Sequence, residues 1–338
     1  MPPPRPIPLP VLLVAALTGC ATTWHGPVSD HFDGAHFRTP GAPQLQSGLL
    51  TWVTDRHPGT WKAYRDEPTG PRPPARVASG GMRVTFINHA TTLVQLDGVN
   101  VLTDPIFSER CSPVAFAGPK RVRPPGLSLT QLPRIDAVVL SHNHYDHLDL
   151  PTLRAVQDLF PNVRIFAGAG NRALLEHAGL RNVTELDWWD ARQVLGITVR
   201  SVPNQHFANR GLFDAATTLW SAWVLEGSAG RAYFAGDTAY GPHFAQAAER
   251  LGPMRLAVLP IGAYKPEWFM SPVHLSPVEA VRAAHDLKAT LAVPMHFGTF
   301  ELADDGETEA AELVRGQAPF AVLDFGEGRD VPLEGAAR

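Results

Sequence analysis

Charge is scarce in this 338-residue chain: Asp, Glu, Lys and Arg together make up 18%, against about 25% in an ordinary soluble domain. The net charge of −4 lacks the basic excess of a nucleic-acid surface and argues against a nucleic-acid partner. Cysteine is nearly absent. With only Cys20 and Cys111, a scaffold stapled by several disulfides is excluded. No apolar run is long enough to span a bilayer as a helix, and no internal repeat stands out. Turn-formers are plentiful. The chain holds 32 Pro and 29 Gly, which predict short elements joined by turns. Hydrophobic residues at 44% suffice for a substantial core in one large domain or two ordinary ones.

The first twenty residues read as a targeting segment. A Pro-rich start with Arg5 leads into Val11–Leu17, a short apolar run that ends at Leu17-Thr18-Gly19-Cys20. Small residues ahead of a cleavage point fit export, and the ending resembles a bacterial lipobox, whose cysteine is lipidated. That resemblance implies an exported lipoprotein with a membrane partner reached through lipidated Cys20. Ala21, standing where Asp does not, implies the periplasmic face of an outer membrane. Cys111 is then left without a partner. Residues 21–80 are rich in Pro, Gly and charge and read as a tether and N-terminal extension. Within them Leu49–Val53 and Trp61 are expected to pack on the surface of a domain spanning 81–338.

Inside that domain strand signals are dense. Val84–Ile87 is a β run. Thr92–Leu96, an Asp97-Gly98 turn and Val99–Thr103 form a hairpin signature. Ile135–Leu140 reads as a buried strand. Leu150, Leu153, Val156 and Phe160 recur at helical spacing, with Asp149 placed to cap the helix and Pro151 in its first turn. Further strands are expected at 164–168, 183–186, 197–202, 219–225, 231–235, 256–261 and 290–295. Helices are expected from Asn171 to about Ala178, and from Ser276 to Leu287. Two β-rich halves, each with helices, predict an α/β sandwich of two sheets with outer helices.

The chemistry concentrates in Ser141-His142-Asn143-His144-Tyr145-Asp146-His147, which follows the Ile135–Leu140 strand. Imidazole and carboxylate donors suit Zn²⁺ or a similar divalent ion. On extended backbone His142 and His144 point the same way and can grip one ion; a turn through Tyr145 swings Asp146 and His147 toward a second. Two ions about 3.5–4 Å apart activate a water and clamp a displacement. Such a pair needs more ligands than this motif offers. His206, Asp237 and His296, each after a strand in a turn-like context, supply the missing number and type.

H-x-H-x-D-H followed by separate His, Asp and His resembles the metallo-β-lactamase fold superfamily. A closer likeness runs from about 82 to 300. It includes Leu102–Phe107, Gly118–Arg121, Ser141–Asp149, Leu186–Trp189, Phe234–Thr238, Pro260–Tyr264 and His296–Phe300, which resemble N-acyl-phosphatidylethanolamine-hydrolysing phospholipase D. The resemblance implies a four-layer αβ/βα fold and two Zn²⁺ ions. It assigns His142, His144 and His206 to the first ion, Asp146, His147 and His296 to the second, and Asp237 as a bridge. It also implies a phospholipid substrate cut by a binuclear phosphodiesterase, with Asp146 or Asp237 orienting the attacking oxygen and His274 near the substrate phosphate. Asp104 and His89 are candidates to support the ligands. Trp188, Trp189, Trp268, Phe269 and Met270 are candidates for an acyl groove, although core packing is the simpler reading of Trp188 and Trp189. Residues 207–218 depart from the family pattern. Asn88 stands where the family has Gly, and Lys265 and Glu267 invert its charges. A lactonase, or a phosphodiesterase acting on a soluble metabolite, is the alternative activity. A homodimer is left open.

Overall fold

The computed structural model describes residues 24–43 and 48–333. The expected signal segment with Cys20 lies outside them. No helix among the described residues is long and apolar enough to cross a membrane.

After a short helix, α1 (Leu49–Thr54), three strands form a meander: β1 (Met82–Asn88), β2 (Thr91–Leu96) and β3 (Val99–Thr103). Then come β4 (Ala137–Leu140), α2 (Leu150–Leu159), β5 (Arg164–Gly168), α3 (Arg172–His177) and β6 (Val183–Leu186). The second half runs β7 (Ala191–Val194), β8 (Ile197–Val202), β9 (Ala222–Gly227), β10 (Gly230–Phe234), α4 (His243–Leu251), β11 (Leu256–Pro260), α5 (Glu267–Met270), α6 (Pro277–Asp286) and β12 (Leu291–Met295). Helix α7 (Glu309–Val314) and β13 (Gly328–Asp330) close it. One sheet has the order β13-β1-β2-β3-β4-β5-β6 and the other β12-β11-β10-β9-β8-β7.

Layering follows from strand alternation. In the first sheet Val84, Phe86, Val99, Val101, Ala137 and Val139 face the second sheet. Their neighbours Ile87, Leu102, Val138 and Leu140 point the other way, to a second core shared with Leu153 and Val156 of α2 and Leu175 of α3. Strands β3 to β6 pair in parallel, as do β10 to β12. Parallel strands covered on both faces need continuous apolar runs, and β4 (Ala-Val-Val-Leu) and β11 (Leu-Ala-Val-Leu-Pro) are buried throughout. Trp223 of β9 is fully buried between the sheets, and its indole N–H donates to the Leu140 carbonyl at 3.0 Å.

Helix α6 starts as its sequence implies, with the Ser276 hydroxyl and Glu279 closing a capping box. Two expected caps are spent elsewhere. Asp149 occupies the N-cap of α2, but its carboxylate accepts from Ser108 and from the Thr152 hydroxyl. Asn171 precedes α3, but its amide donates to the Gly168 carbonyl. Both side chains hold neighbouring loops instead of helix N–H groups. The strand expected at 219–225 is shifted to 222–227, since residues 219–221 pair with loops at Ala169 and Ser141.

Residues 48–76 run along the domain through specific contacts. Arg56 pairs with buried Asp304 at 2.9 Å, and Trp61 donates to the Asp305 carbonyl. Arg65 pairs with Glu307, and Arg76 with buried Asp136. The six turns that follow β1, β3, β4, β8, β10 and β12 bear His89, Asp104, His142–His147, His206, Asp237 and His296 in that order.

Candidate metal centre

The turn after β4 places His142 and His144 side by side: His142 Nε2 lies 2.8 Å from His144 Nδ1. His206 Nε2 lies 3.4 Å from the same atom. The outer nitrogens of these rings assign the tautomers. His206 Nδ1–H donates to the Val273 carbonyl at 2.9 Å, and His144 Nε2–H donates to Asn209 Oδ1 at 2.9 Å. His142 Nδ1–H donates to Ser141 Oγ, whose own proton goes to Asp104. Three lone pairs therefore face one another with no proton to share, which is the donor set of a cation site.

The second group lies beyond it. Asp146 Oδ2 is 3.3 Å from both His147 Nε2 and His296 Nε2. Asp237 Oδ2 stands between the groups, 3.2 Å from His147 Nε2, 3.1 Å from His296 Nε2 and 4.0 Å from His206 Nε2. Its Oδ1 is buried without a hydrogen-bond partner. The structure thus brings His142, His144, Asp146, His147, His206, Asp237 and His296 to one place. His274 adjoins them, its Nδ1 3.9 Å from Asp237 Oδ2.

A strained, close-packed frame positions these groups. His89, Asp104 and His296 all have left-handed backbones, with φ of 45°, 31° and 64°, a conformation that costs about 1–3 kcal/mol per non-glycine residue and clusters at functional sites. Gly236 (φ 61°), just before Asp237, approaches Ser141 so closely that a Cβ would lie 2.3 Å from the Ser141 Cβ. Only glycine fits there.

Asp104 and His89 support the ligands. Asp104 is fully buried and accepts the Ser141 amide at 2.7 Å, the Ser141 hydroxyl at 2.5 Å and His147 Nδ1–H at 2.7 Å. Its carboxylate orients both the first and the second group. Asp104→Asn keeps the shape but turns one acceptor into a donor facing N–H and O–H groups. We expect about a 10–100-fold loss of metal affinity, measured by competition with a chromophoric chelator; unchanged affinity would remove Asp104 from the centre. His89 Nε2 donates to Asp146 Oδ2 at 3.0 Å, and its ring lies 4.1 Å from that of His296. It also satisfies a four-residue metal-competent group with Asp146, His147 and His296.

The electrostatics divide the centre. Burial pushes the His142 and His206 imidazoles well below their ordinary pKa, and it takes His274 to about 4. Burial also disfavours the His147 and His296 cations, but the Asp237 and Asp146 carboxylates outweigh it. They hold His147 well above its ordinary value and His296 at about 9. These imidazolium charges keep Asp146 and Asp237 well below the carboxylate range despite burial. The His296 proton is held below about pH 9 and must leave before Nε2 can bind a cation. Metal affinity should therefore rise about tenfold per pH unit for that proton, levelling above about pH 9. Calorimetric titration of metal in two buffers of different ionisation enthalpy counts the protons released; a count of zero would contradict this arrangement.

Residues 99–297 match the family described as the beta-lactamase superfamily domain, more than half of the chain. The chain belongs to that family. A protein from Caenorhabditis elegans named N-acyl-phosphatidylethanolamine-hydrolyzing phospholipase D 1 is 39% identical over 242 residues, 69% of this chain and 67% of that protein. A Mycobacterium tuberculosis protein is 43% identical over 227 residues, 66% of this chain and 60% of its own length. Igni18, a metallo hydrolase of the archaeon Ignicoccus hospitalis, superimposes with a TM-score of 0.57 at 18% identity, covering 75% of this chain and all of that one. The four-layer α/β fold is that of the beta-lactamase superfamily domain, and this chain is a metallo-hydrolase of that family.

Sequence reasoning had no means to find Asn209, the partner of His144, because a lone Asn in a loop carries no signal. Of the acyl-groove candidates, Phe269 and Met270 face the cavity above the metal centre. Trp188 instead packs on His31, ring centroids 4.5 Å apart, Trp189 packs against the main core, and Trp268 is 47% exposed.

Proposed function

We propose that this protein is a binuclear zinc phosphodiesterase that hydrolyses N-acylphosphatidylethanolamine to N-acylethanolamine and phosphatidic acid. The observation that carries the reading is a cavity of about 710 Å³ with a polar floor and apolar walls. His144, Asp146, Asp237, His274 and His296 form the floor, and Phe207, Phe269, Met270 and Val273 stand among the walls. A charged phosphodiester with hydrocarbon attached matches both parts.

His142, His144 and His206 would hold one ion, Asp146, His147 and His296 the other, and Asp237 would face both. Bound there, two zinc ions would lower the pKa of water and neutralise charge growing on the phosphoryl oxygens. The chain's own groups handle positioning and protons. Asp146 and Asp237, both ionised, accept hydrogen bonds from the attacking water and turn its lone pair toward phosphorus. A new P–O bond forms from that water as the bond to the ethanolamine oxygen breaks, and one proton passes from water to the leaving alkoxide. His274 is half-buried, with its pKa held at about 4 by the surrounding burial and its Nδ1 unpartnered, and is placed to contact the phosphate or the leaving oxygen. With the substrate's hydrocarbon seated against the apolar walls, bulk water would be kept from the reacting end.

The test is incubation of purified, metal-loaded protein with N-acylated and ordinary phosphatidylethanolamine, phosphatidylcholine and an acylated lactone. Release of N-acylethanolamine with phosphatidic acid is the expected result. Inertness toward N-acylated lipid with turnover of the lactone overturns it. Anchoring at the outer membrane through Cys20 is proposed alongside this activity, since residence at a bilayer raises the effective concentration of lipid substrate. Incorporation of labelled palmitate by the intact protein, lost in Cys20→Ser, tests that part.

A further inference from the structure

One wall of the cavity does not come from the matched residues of the beta-lactamase superfamily domain. It is helix α1, ahead of the matched residues 99–297, whose Leu49, Leu50 and Trp52 line the same cavity as the metal-centre residues. The helix sequence is Leu-Leu-Thr-Trp-Val-Thr, and none of its residues is buried. Leu49 is 61% and Leu50 78% exposed. Six residues are too few for a helix to persist unaided. The packing that holds α1 uses other atoms. The Trp52 ring stacks on Phe269 with centroids 5.3 Å apart, and the Arg56 guanidinium lies over Trp52 and binds both Asp304 and the Ala303 carbonyl. At Gly48 the chain passes so near Trp268 that a Cβ would lie 2.6 Å from its ring. The helix is thus fastened from one side while two leucines stand over an open apolar groove that leads down to the metal ligands.

We propose that α1 is the acyl-chain-selecting wall of the substrate site: a long hydrocarbon chain of the substrate lies along Leu49 and Leu50, with Phe207 and the edge of the Trp52–Phe269 stack lining the same groove. This assignment rests on the lipid reading for its substrate class and goes beyond it by placing selectivity in the N-terminal extension. A soluble, chainless ester would leave the two leucines in water. A chain of a dozen or more carbons covers them, and the apolar area removed from water favours binding in proportion to chain length.

The experiment compares two phosphodiesters that differ only in one alcohol, hexadecyl 4-nitrophenyl phosphate and methyl 4-nitrophenyl phosphate. The metal-loaded protein and its Leu49→Ser/Leu50→Ser variant are assayed on both. Both leucines are exposed, so the double change leaves the fold intact. We expect the KM for the hexadecyl diester to rise about tenfold with kcat unchanged, and the methyl diester to be turned over as before. Equal effects on both diesters, or none on either, overturn the assignment. A second arm needs no turnover. A spin-labelled stearate should quench tryptophan fluorescence, and much of that quenching should vanish in Trp52→Phe. Quenching that persists in Trp52→Phe places the chain elsewhere and overturns the assignment. Absence of any diester turnover with Trp52-dependent quenching would sink the phosphodiesterase reading and leave the acyl wall standing.

Discussion

Asp237→Asn is expected to lower kcat/KM by about 10³-fold or more and to leave the protein with fewer than two metal ions per chain. The carboxylate faces His147, His206 and His296 through one oxygen at 3.1–4.0 Å, and its other oxygen is buried with no hydrogen-bond partner. An acceptor buried so completely and left unpaired is costly unless a cation meets it. Asparagine removes the negative charge and presents an N–H₂ toward at least one group that also needs an acceptor. The stabilisation that metal supplies to a phosphoryl transition state is several kcal/mol, and each 1.36 kcal/mol is tenfold in rate, hence about 10³-fold. Metal content by mass spectrometry, read beside kinetics, separates a lost ion from a misplaced one. Two ions per chain with a rate within about tenfold of the unaltered protein would show that Asp237 is dispensable.

Trp223→Ala should be the most destabilising single change in the core, at about 3–5 kcal/mol. The side chain is fully buried among residues of both sheets. Its loss opens a cavity that close-packed strands cannot collapse to fill. It also leaves the Leu140 carbonyl without its indole donor. Leu140 directly precedes Ser141 and His142, so loosened metal binding should accompany the loss of stability. Urea unfolding of the metal-free protein measures the first effect, and chelator competition the second. A destabilisation below about 1 kcal/mol would mean that the two sheets do not depend on this contact.

Much of the site was legible because short-range chemistry is written in short-range sequence. His142, His144, Asp146 and His147 occupy one turn, where extended-backbone geometry already implies two directions of approach. His206, Asp237 and His296 were findable because each follows a strand, and strand ends are where a rigid sheet holds reactive groups. Expectation and structure parted over side chains with more than one available partner. Asp149 and Asn171 carry the chemistry of helix caps, but loops at Ser108 and Gly168 claimed their hydrogen bonds. Strands β7 and β13 carry weak signals, and both lie at sheet edges. Edge strands bury less, so their sequences are less constrained.

From the sequence alone came the kind of donor, the number of donors and the alternation that makes two sheets with helices outside them. Those properties are local, because they depend on residue type and on a period of two or 3.6 along the chain. The family resemblance already implied Asp237 as the bridge and made Asp104 a candidate support; only the tertiary structure gave the geometry by which Asp104 joins the two groups from behind, and decided that Leu49, Leu50 and Trp52 line the cavity. Each of these is a contact between segments far apart in the chain. Which distant surfaces meet is settled by packing the whole core at once, and no spacing within a motif encodes it.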